Sequence, residues 1–121
     1  MEKIDFAGCE FGDAEKAAVN RVMQGTWLAS GQENELFEQE FAKYMGTQYA
    51  VCVNSGSSAN LLALASLDLR KGAKVLTSGC GFPATLNPIM HCGFEPVLVD
   101  YDINTHNIDV EQVLHQIPMV F

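Results

Sequence analysis

YAVCVNSGSSANLLALASL, residues 49–67, is the stretch that decides the fold. Its apolar run Ala50–Val53 predicts a short buried strand. A polar turn at 54–58 follows, and then Ala59–Leu67, whose Ala and Leu side chains predict a helix that is apolar on nearly every face. A strand, a Gly/Ser turn and a buried helix in this order form a common frame for an anion-binding site.

The turn in this stretch contains residue types that suit a phosphate group. The first amides of a helix have no intrahelical acceptor, and the helix dipole is positive at that end. Gly56 lets the backbone approach a ligand closely, and Ser57 and Ser58 offer hydroxyls to it. The same two serines can equally serve only to cap a core helix, and the local pattern by itself favours that simpler interpretation. The turn matches neither the Walker A pattern nor G-x-G-x-x-G, the two nucleotide-binding fingerprints.

The composition restricts the class of protein. The chain has 121 residues, of which 48% are hydrophobic and 18% charged, so we expect one globular domain over 1–121. No apolar run reaches the ~20 residues of a membrane-spanning helix, and the first residues have no signal-peptide layout, which favours the cytoplasm. The net charge of −8 disfavours nucleic acid and anionic membranes as partners.

Four cysteines occur at positions 9, 52, 80 and 92, and none forms a C-x-x-C pair. His91 precedes Cys92, but no second pair stands at ligand spacing from them. We therefore expect free thiols in a reducing compartment, without a metal site or disulfides.

Two helices are predicted before residue 49. The first has Asp13 as its N-cap and runs to about Gln24. The second begins in the capping box Ser30–Glu33, with the serine as cap and the glutamate reaching back, and it ends at Gly46. Between them, the only tryptophan, Trp27, is either a hydrophobic anchor or the edge of a binding site, and the anchor is the simpler interpretation.

Strands alternate with helices in the second half of the chain. KVLTS (74–78) and PVLVD (96–100) predict two more strands, so the chain is predicted to be α/β with a mainly parallel sheet of about three strands. Ligands bind at the carboxyl ends of the strands in such sheets. The loops 54–58, 79–83 and 100–102 are all expected at that edge, which strengthens the prediction of a ligand site.

Two helices accompany these strands. Thr85–His91 is predicted to be helical, with Pro88 tolerated only in its first turn and Gly93 as its terminator. Asp109 is predicted to cap a last helix that runs to about Gln116.

Three longer stretches carry a resemblance to a known family. They are FGDAEKAAVNRVMQGTWLASG, FEQEFAKYMGTQYAVCVNSGSSANLLAL and GFPATLNPIMHCGFEPVLVDYDINTHNIDV, which together cover most of the chain from Phe11 to Val110. In their sequence and order the chain resembles the N-terminal part of the vitamin B6-dependent sugar aminotransferases of the DegT/DnrJ/EryC1/StrS family. NSGSSANLLAL with GFPATLNP is most similar to the nucleotide-sugar 3-dehydratase branch, which uses pyridoxamine phosphate.

This resemblance implies part of the large domain of an aspartate-aminotransferase-like (fold type I) enzyme that acts on nucleotide-linked keto-sugars. It also implies pyridoxal phosphate or pyridoxamine phosphate as cofactor. Phe82 matches the aromatic residue that lies against the cofactor ring, Trp27 falls near the substrate entrance, and Asp100 is expected to be structural. The residues that match cofactor-binding positions are Gly56, Ser57, Ser58 and Phe82.

The resemblance also implies catalytic groups that match none of these 121 residues. The family's cofactor-binding lysine, or the histidine that replaces it in the dehydratase branch, matches no residue here, and neither does the carboxylate that pairs with the pyridine nitrogen. We therefore assign no catalytic residue and expect an incomplete, inactive fragment. The alternative is a non-catalytic, self-associating structural module with a vestigial phosphate turn. Because the first strand is not adjacent to the other two in the resembled fold, we expect either a rearranged sheet or a homo-oligomer.

Overall fold

The structure is a computed structural model that describes residues 7–119, so the predictions at residues 1–6 and 120–121 lie outside the described part. The chain divides into two compact units, with the boundary between Cys52 and Val53. A single domain over 1–121 stays a prediction. Among the helices within 7–119, none combines the length and the apolarity that crossing a membrane requires.

The first unit has two helices, α1 (Asp13–Met23) and α2 (Gln32–Met45). Gly12, in an extended conformation, is the N-cap of α1, and its N–H group donates to the Glu15 carboxylate at 2.6 Å. The predicted cap at Asp13 is wrong, because the third helical residue reaches back and satisfies the cap position in place of a capping side chain.

The start of α2 also differs from its prediction. Gly31 is the N-cap and has no side chain with which to cap. The predicted capping box is wrong because α2 begins at Gln32, so that Gly31 and not Ser30 is the N-cap. Both members of the predicted box make other contacts. The carbonyl of Ser30 accepts the indole N–H of Trp27 at 2.9 Å, and Glu33 forms an ion pair with Arg21 at 2.8 Å.

The end of α2 confirms one prediction, and the residues after it contradict another. Gly46 has a left-handed backbone with φ of 68°, which glycine adopts without strain, and it ends the helix as predicted. Residues 50–53 form no strand, and Val51 is 77% exposed. The Cys52 N–H donates to the Glu38 carboxylate at 2.6 Å. A strand requires a neighbour for its backbone groups, and no strand of residues 7–119 pairs with this run.

The second unit is an α/β arrangement, which confirms the predicted fold class. Strands β1 and β2 pair in parallel, from Lys74 opposite Glu95 to Ser78 opposite Val99, and helix α4 connects them. The rearranged sheet, with the first predicted strand beside the other two, is wrong, because the described sheet has two strands. The elements are α3 (Gly56–Ala65), β1 (Lys74–Ser78), α4 (Pro83–His91), β2 (Glu95–Val99), α5 (Val110–Gln116) and a 3-10 turn at Ile117–Met119.

A proline in the sequence of β2 makes it an edge strand of the sheet. The Glu95 N–H donates to the Ala73 carbonyl at 2.9 Å, and the Gly79 N–H donates to the Val99 carbonyl at 2.7 Å. Alternate residues from 95 therefore direct their backbone groups towards β1. Pro96 lies between them and faces the other way, where it has no N–H to offer. A further strand would therefore add beside β1.

Helix α4 begins two residues earlier than predicted and contains a proline in its interior. The prediction that Pro88 is tolerated only in the first turn is wrong. Pro88 has no N–H to donate to the carbonyl of Ala84, and the side-chain amide of Asn60 donates to that carbonyl instead, at 3.2 Å. Gly93, with φ of 74°, follows the helix as its predicted terminator.

The last helix confirms its prediction. The Asp109 side chain accepts the N–H of Gln112 at 3.1 Å, so it caps α5 at the expected position. The core of this unit is small and includes Ile89 and Val99, each 2% exposed, and Phe94. Apolar burial of this kind contributes about 1.5–3 kcal/mol per fully buried side chain.

Acidification is expected to loosen the start of α1. The pKa of the Glu15 carboxyl lies below its ordinary value because backbone N–H groups hydrogen-bond to it, first that of Glu15 itself and then that of Gly12. A lowered pKa means that the carboxylate stabilises the folded helix start above the unfolded pKa of about 4.3, and that this contribution is lost as the pH falls through the folded value. The amide resonance of Gly12, followed by NMR, should titrate with a midpoint below that of an unfolded peptide.

The control for this titration is Glu15→Gln, in which the Gly12 amide should no longer respond to pH in this range. A midpoint at or above the unfolded value would contradict the cap.

Candidate functional site

The first turn of α3 leaves two backbone donors for a ligand. Ser55 is its N-cap, since its hydroxyl accepts the N–H of Ser58 at 3.2 Å and its carbonyl accepts the N–H of Ala59 at 3.0 Å. The predicted capping by Ser57 and Ser58 is therefore wrong. Within residues 7–119, the N–H groups of Gly56 and Ser57 have no acceptor.

Gly56 borders open space. A Cβ atom built there would meet nothing within 4 Å, and the backbone does not have the positive φ that favours glycine. The described fold therefore does not itself require glycine at this position. A ligand that approaches the backbone closely would require it.

A cavity of about 380 Å³ lies along α3 and α4 and joins the α3 start to Phe82. Its volume is within the range of small-molecule sites. Phe82, the N-cap residue of α4, is 79% exposed and offers its aromatic ring to the opening. The structure thus brings three of the four predicted cofactor residues to one cavity, next to Gly56. The lining residues are Ser57, Ser58, Leu61, Phe82, Pro83, Ala84, Asn87, Pro88 and His91.

The polarity of this cavity suits an anion with an attached ring. Its described lining includes no carboxylate, although the chain as a whole carries a net charge of −8. The start of α3 contributes to it, and the dipole of that helix presents its positive end there. The lining from α4 runs along that helix from its start to His91 in its last turn. An anion in this cavity would therefore be attracted by the local amides and the α3 dipole, against the overall charge of the chain.

Two polar side chains in the cavity are absent from the predicted set, Asn87 and His91. The sequence signal that reveals them is a four-residue spacing, because Pro83, Asn87 and His91 share one face of α4. By its position next to Cys92 in the sequence, His91 suggests only a metal ligand. Across the described residues, no cluster of three His, Cys, Asp or Glu side chains is placed to hold a metal ion.

Asp100 lies apart from this cavity, after the end of β2. Its side chain accepts the N–H of Tyr101 at 2.8 Å, and its own N–H donates to the Gln112 side chain at 3.2 Å. Its carbonyl accepts the N–H of Asp109 at 2.9 Å. These bonds connect the 100–102 loop to α5, so only two of the three loops expected at a common site line the cavity.

Trp27 belongs to the first unit and follows α1. Its indole N–H donates to the Ser30 carbonyl, and a Cβ atom at Gly31 would come within 3.1 Å of the indole ring. The ring therefore covers Gly31 and anchors the link between α1 and α2. Trp27 also lines a second cavity of about 410 Å³, together with Arg21 and Glu33. A role for Trp27 in substrate binding stays a prediction.

Solved structures with a closely similar fold are enzymes of sugar metabolism and transamination. The chain matches GDP-4-keto-6-deoxy-D-mannose-3-dehydratase from E. coli, solved with hydrated pyridoxal phosphate bound, with a TM-score of 0.90 and 33% identity. This match covers 97% of the chain and 32% of the E. coli protein. An aminotransferase from Psychrobacter cryohalolentis matches with a TM-score of 0.75 and 33% identity, over 88% of the chain and 27% of that protein.

These neighbours are fold type I pyridoxal phosphate enzymes, which confirms the predicted fold class. Residues 10–119 match the sequence profile of the DegT/DnrJ/EryC1/StrS aminotransferase family, and the chain belongs to that family. Among its relatives is dTDP-4-dehydro-2,6-dideoxy-D-glucose 3-dehydratase from Saccharopolyspora spinosa, 37% identical over 115 residues. That match covers 88% of the chain and 25% of the relative, so the chain spans about a quarter of that enzyme's length.

The position of the Trp27 ring can be tested through its fluorescence, since it is the only tryptophan of the chain. Gly31→Ala should displace the indole, because the new methyl group would lie 3.1 Å from it. We expect a shifted emission maximum and stronger quenching by acrylamide. Gly81→Ala, where a Cβ would meet nothing within 4 Å, is the control and should leave the emission unchanged. Identical spectra for both variants would show that the ring does not lie over Gly31.

Proposed function

We propose that the chain forms the phosphate-binding side of a vitamin B6 cofactor site in an enzyme that acts on nucleotide-linked keto-sugars. The observation that carries this proposal is the cavity that joins the start of α3 to the ring of Phe82. Family membership supports it, since relatives are nucleotide-sugar 3-dehydratases and a structural neighbour contains pyridoxal phosphate.

The residues of this cavity fit the two parts of such a cofactor. For the phosphate, the cavity offers the amide of Ser57 and the hydroxyls of Ser57 and Ser58, and the amide of Gly56 lies next to it, at the positive end of the α3 dipole. For the pyridine ring, Phe82 provides a flat apolar face at the mouth of the cavity, which excludes water from one side of the ring. The open space beside Gly56 leaves room for phosphate oxygens next to the backbone.

These residues are proposed to bind and orient the cofactor. When bound, the cofactor supplies an amine and an electron-withdrawing ring for reaction at the keto-sugar. The α3 amides hold its phosphate end, and Phe82 limits the tilt of its ring. Trp27 is proposed to contact the substrate, on the resemblance alone, and Asp100 is proposed to be structural because its hydrogen bonds connect the loop after β2 to α5.

Catalysis itself requires groups that the resemblance does not assign to these 121 residues. We therefore propose that the chain by itself binds the cofactor without converting a nucleotide-sugar. We propose dehydration rather than transamination as the reaction, because the sequence motifs are most similar to the 3-dehydratase branch and two of the relatives are 3-dehydratases. Turnover of a nucleotide-linked keto-sugar by the pure chain would overturn the proposed inactivity.

A second candidate function is a non-catalytic, self-associating module. It is favoured by apolar side chains that the described fold leaves uncovered, among them Val51 and Leu98, which is 56% exposed. Association through such surfaces removes apolar area from water. The two candidates differ in whether cofactor is bound and in whether the chain is an oligomer.

Gly56→Ala tests the cofactor site without disturbing the fold. The methyl group would occupy the open space beside the α3 amides, so we expect at least a tenfold loss of affinity for pyridoxamine phosphate. Stability should be unchanged or higher by up to about 1 kcal/mol, because alanine is the better helix former. Affinity is measured by cofactor fluorescence anisotropy, with inorganic phosphate as competitor, and stability by urea unfolding.

Gly8→Ala, at another glycine with open space around it, is the matched control and should change neither quantity. Native mass spectrometry of the same samples gives the stoichiometry and the oligomeric state. One cofactor per chain supports the first function. An oligomer without cofactor, in the unsubstituted chain, would favour the structural module and reject the cofactor site.

A further inference from the structure

The hydrogen-bond ladder of α4 has a gap beside the cavity. In a regular helix the N–H of residue 88 would donate to the carbonyl of residue 84. Pro88 has no N–H, so the carbonyl of Ala84 loses its intrahelical donor. A carbonyl without a donor costs free energy unless water or a side chain satisfies it.

Asn60 supplies the missing donor from the neighbouring helix. Its side-chain amide lies 3.2 Å from the Ala84 carbonyl, across 24 residues of sequence. Asn60 is one helical turn after Ser57, and Ala84 is the second residue of α4, two residues after Phe82. The bond therefore links the second turn of α3 to the first turn of α4, the two helices that line the cavity.

We propose that Asn60 is a positioning residue, which holds Phe82 at a set distance from the phosphate turn at Gly56–Ser58 by occupying the carbonyl that Pro88 releases. The effect of Asn60 on cofactor binding rests on the proposed function. The hydrogen bond between Asn60 and Ala84 is independent of it.

Packing alone would not provide this restraint. Helix α3 packs against α4, and most residues of α3 are small or apolar. Apolar contact is non-directional, so by itself it would allow the helices to slide relative to each other. A hydrogen bond is restricted in both distance and angle. The Asn60–Ala84 bond therefore sets the register between the two helix starts, and with it the width of the cavity between Ser57 and Phe82.

A double-mutant cycle tests the bond. In the unsubstituted background, Asn60→Ala should lower the folding equilibrium constant by about fivefold, the usual effect of one hydrogen bond. In the Pro88→Ala background it should cost little, because the new alanine N–H bonds the Ala84 carbonyl within the helix. Asn20→Ala, at an exposed helical asparagine without a described side-chain hydrogen bond, gives the baseline for the change in helix propensity.

The positioning role has its own readouts. NMR should show the backbone amides of Ser57 and Ser58 shifted in Asn60→Ala and still shifted in Asn60→Ala with Pro88→Ala, because the new bond within α4 satisfies the Ala84 carbonyl without linking α4 to α3. The affinity for pyridoxamine phosphate should fall by about fivefold in the single variant and stay low in the double variant, because both lack the bond between the helices. Recovery of the affinity or of the amide positions in the double variant would overturn the positioning role.

Each result decides the proposal. Equal costs of Asn60→Ala in both backgrounds, after the Asn20 baseline, would overturn it. A coupled stability loss with unchanged Ser57 and Ser58 amides would overturn the positioning role and leave a purely structural bond. If the unsubstituted chain binds no pyridoxamine phosphate, the proposed function fails, while the stability cycle and the amide shifts still decide the role of Asn60.

Discussion

The parallel pairing of β1 with β2 is the constraint on which the second unit depends. Parallel strands cannot be joined by a tight turn, so the chain between them must cross over, and here it does so as α4. The Gly79 N–H bonds the Val99 carbonyl at the carboxyl end of the pair, and the chain then leaves the sheet towards Phe82. The place of the aromatic residue at the cavity therefore follows from strand pairing.

The proposed recognition of an anion by this acidic chain depends on local geometry. Charged side chains act over about 10 Å at moderate salt, whereas helix amides act at contact distance. Among the residues that the structure describes, no carboxylate lines the cavity, which extends from the start of α3 along α4. The net charge of the chain and the charge around one site are thus separate properties. The net charge of −8 disfavours anionic partners for the surface as a whole, but it does not decide what a single turn can bind.

Much of the local structure and of the candidate site could be predicted from the sequence. Strand 74–78 is as predicted, and so is the capping of α5 by Asp109, which depends only on residues near it in the sequence. Helix caps were less predictable, because several polar residues near each helix start compete for the same amides. Ser55 outcompetes the two serines after it, and Glu15 makes a capping side chain at residue 12 unnecessary. The cavity residue His91 was missed because only its neighbour in sequence, and not its position on the α4 face, was considered.

The sequence by itself determined the helices, the parallel α/β class and the family, because these depend on local periodicity and on motifs in a fixed order. Only the tertiary structure decided which apolar run becomes a strand, since backbone pairing is non-local: residues 50–53 have strand-like composition and no partner strand in the described fold. It also decided how Pro88 is accommodated inside α4. That answer required a donor from α3, and no pattern within residues 83–91 could reveal Asn60 as its source.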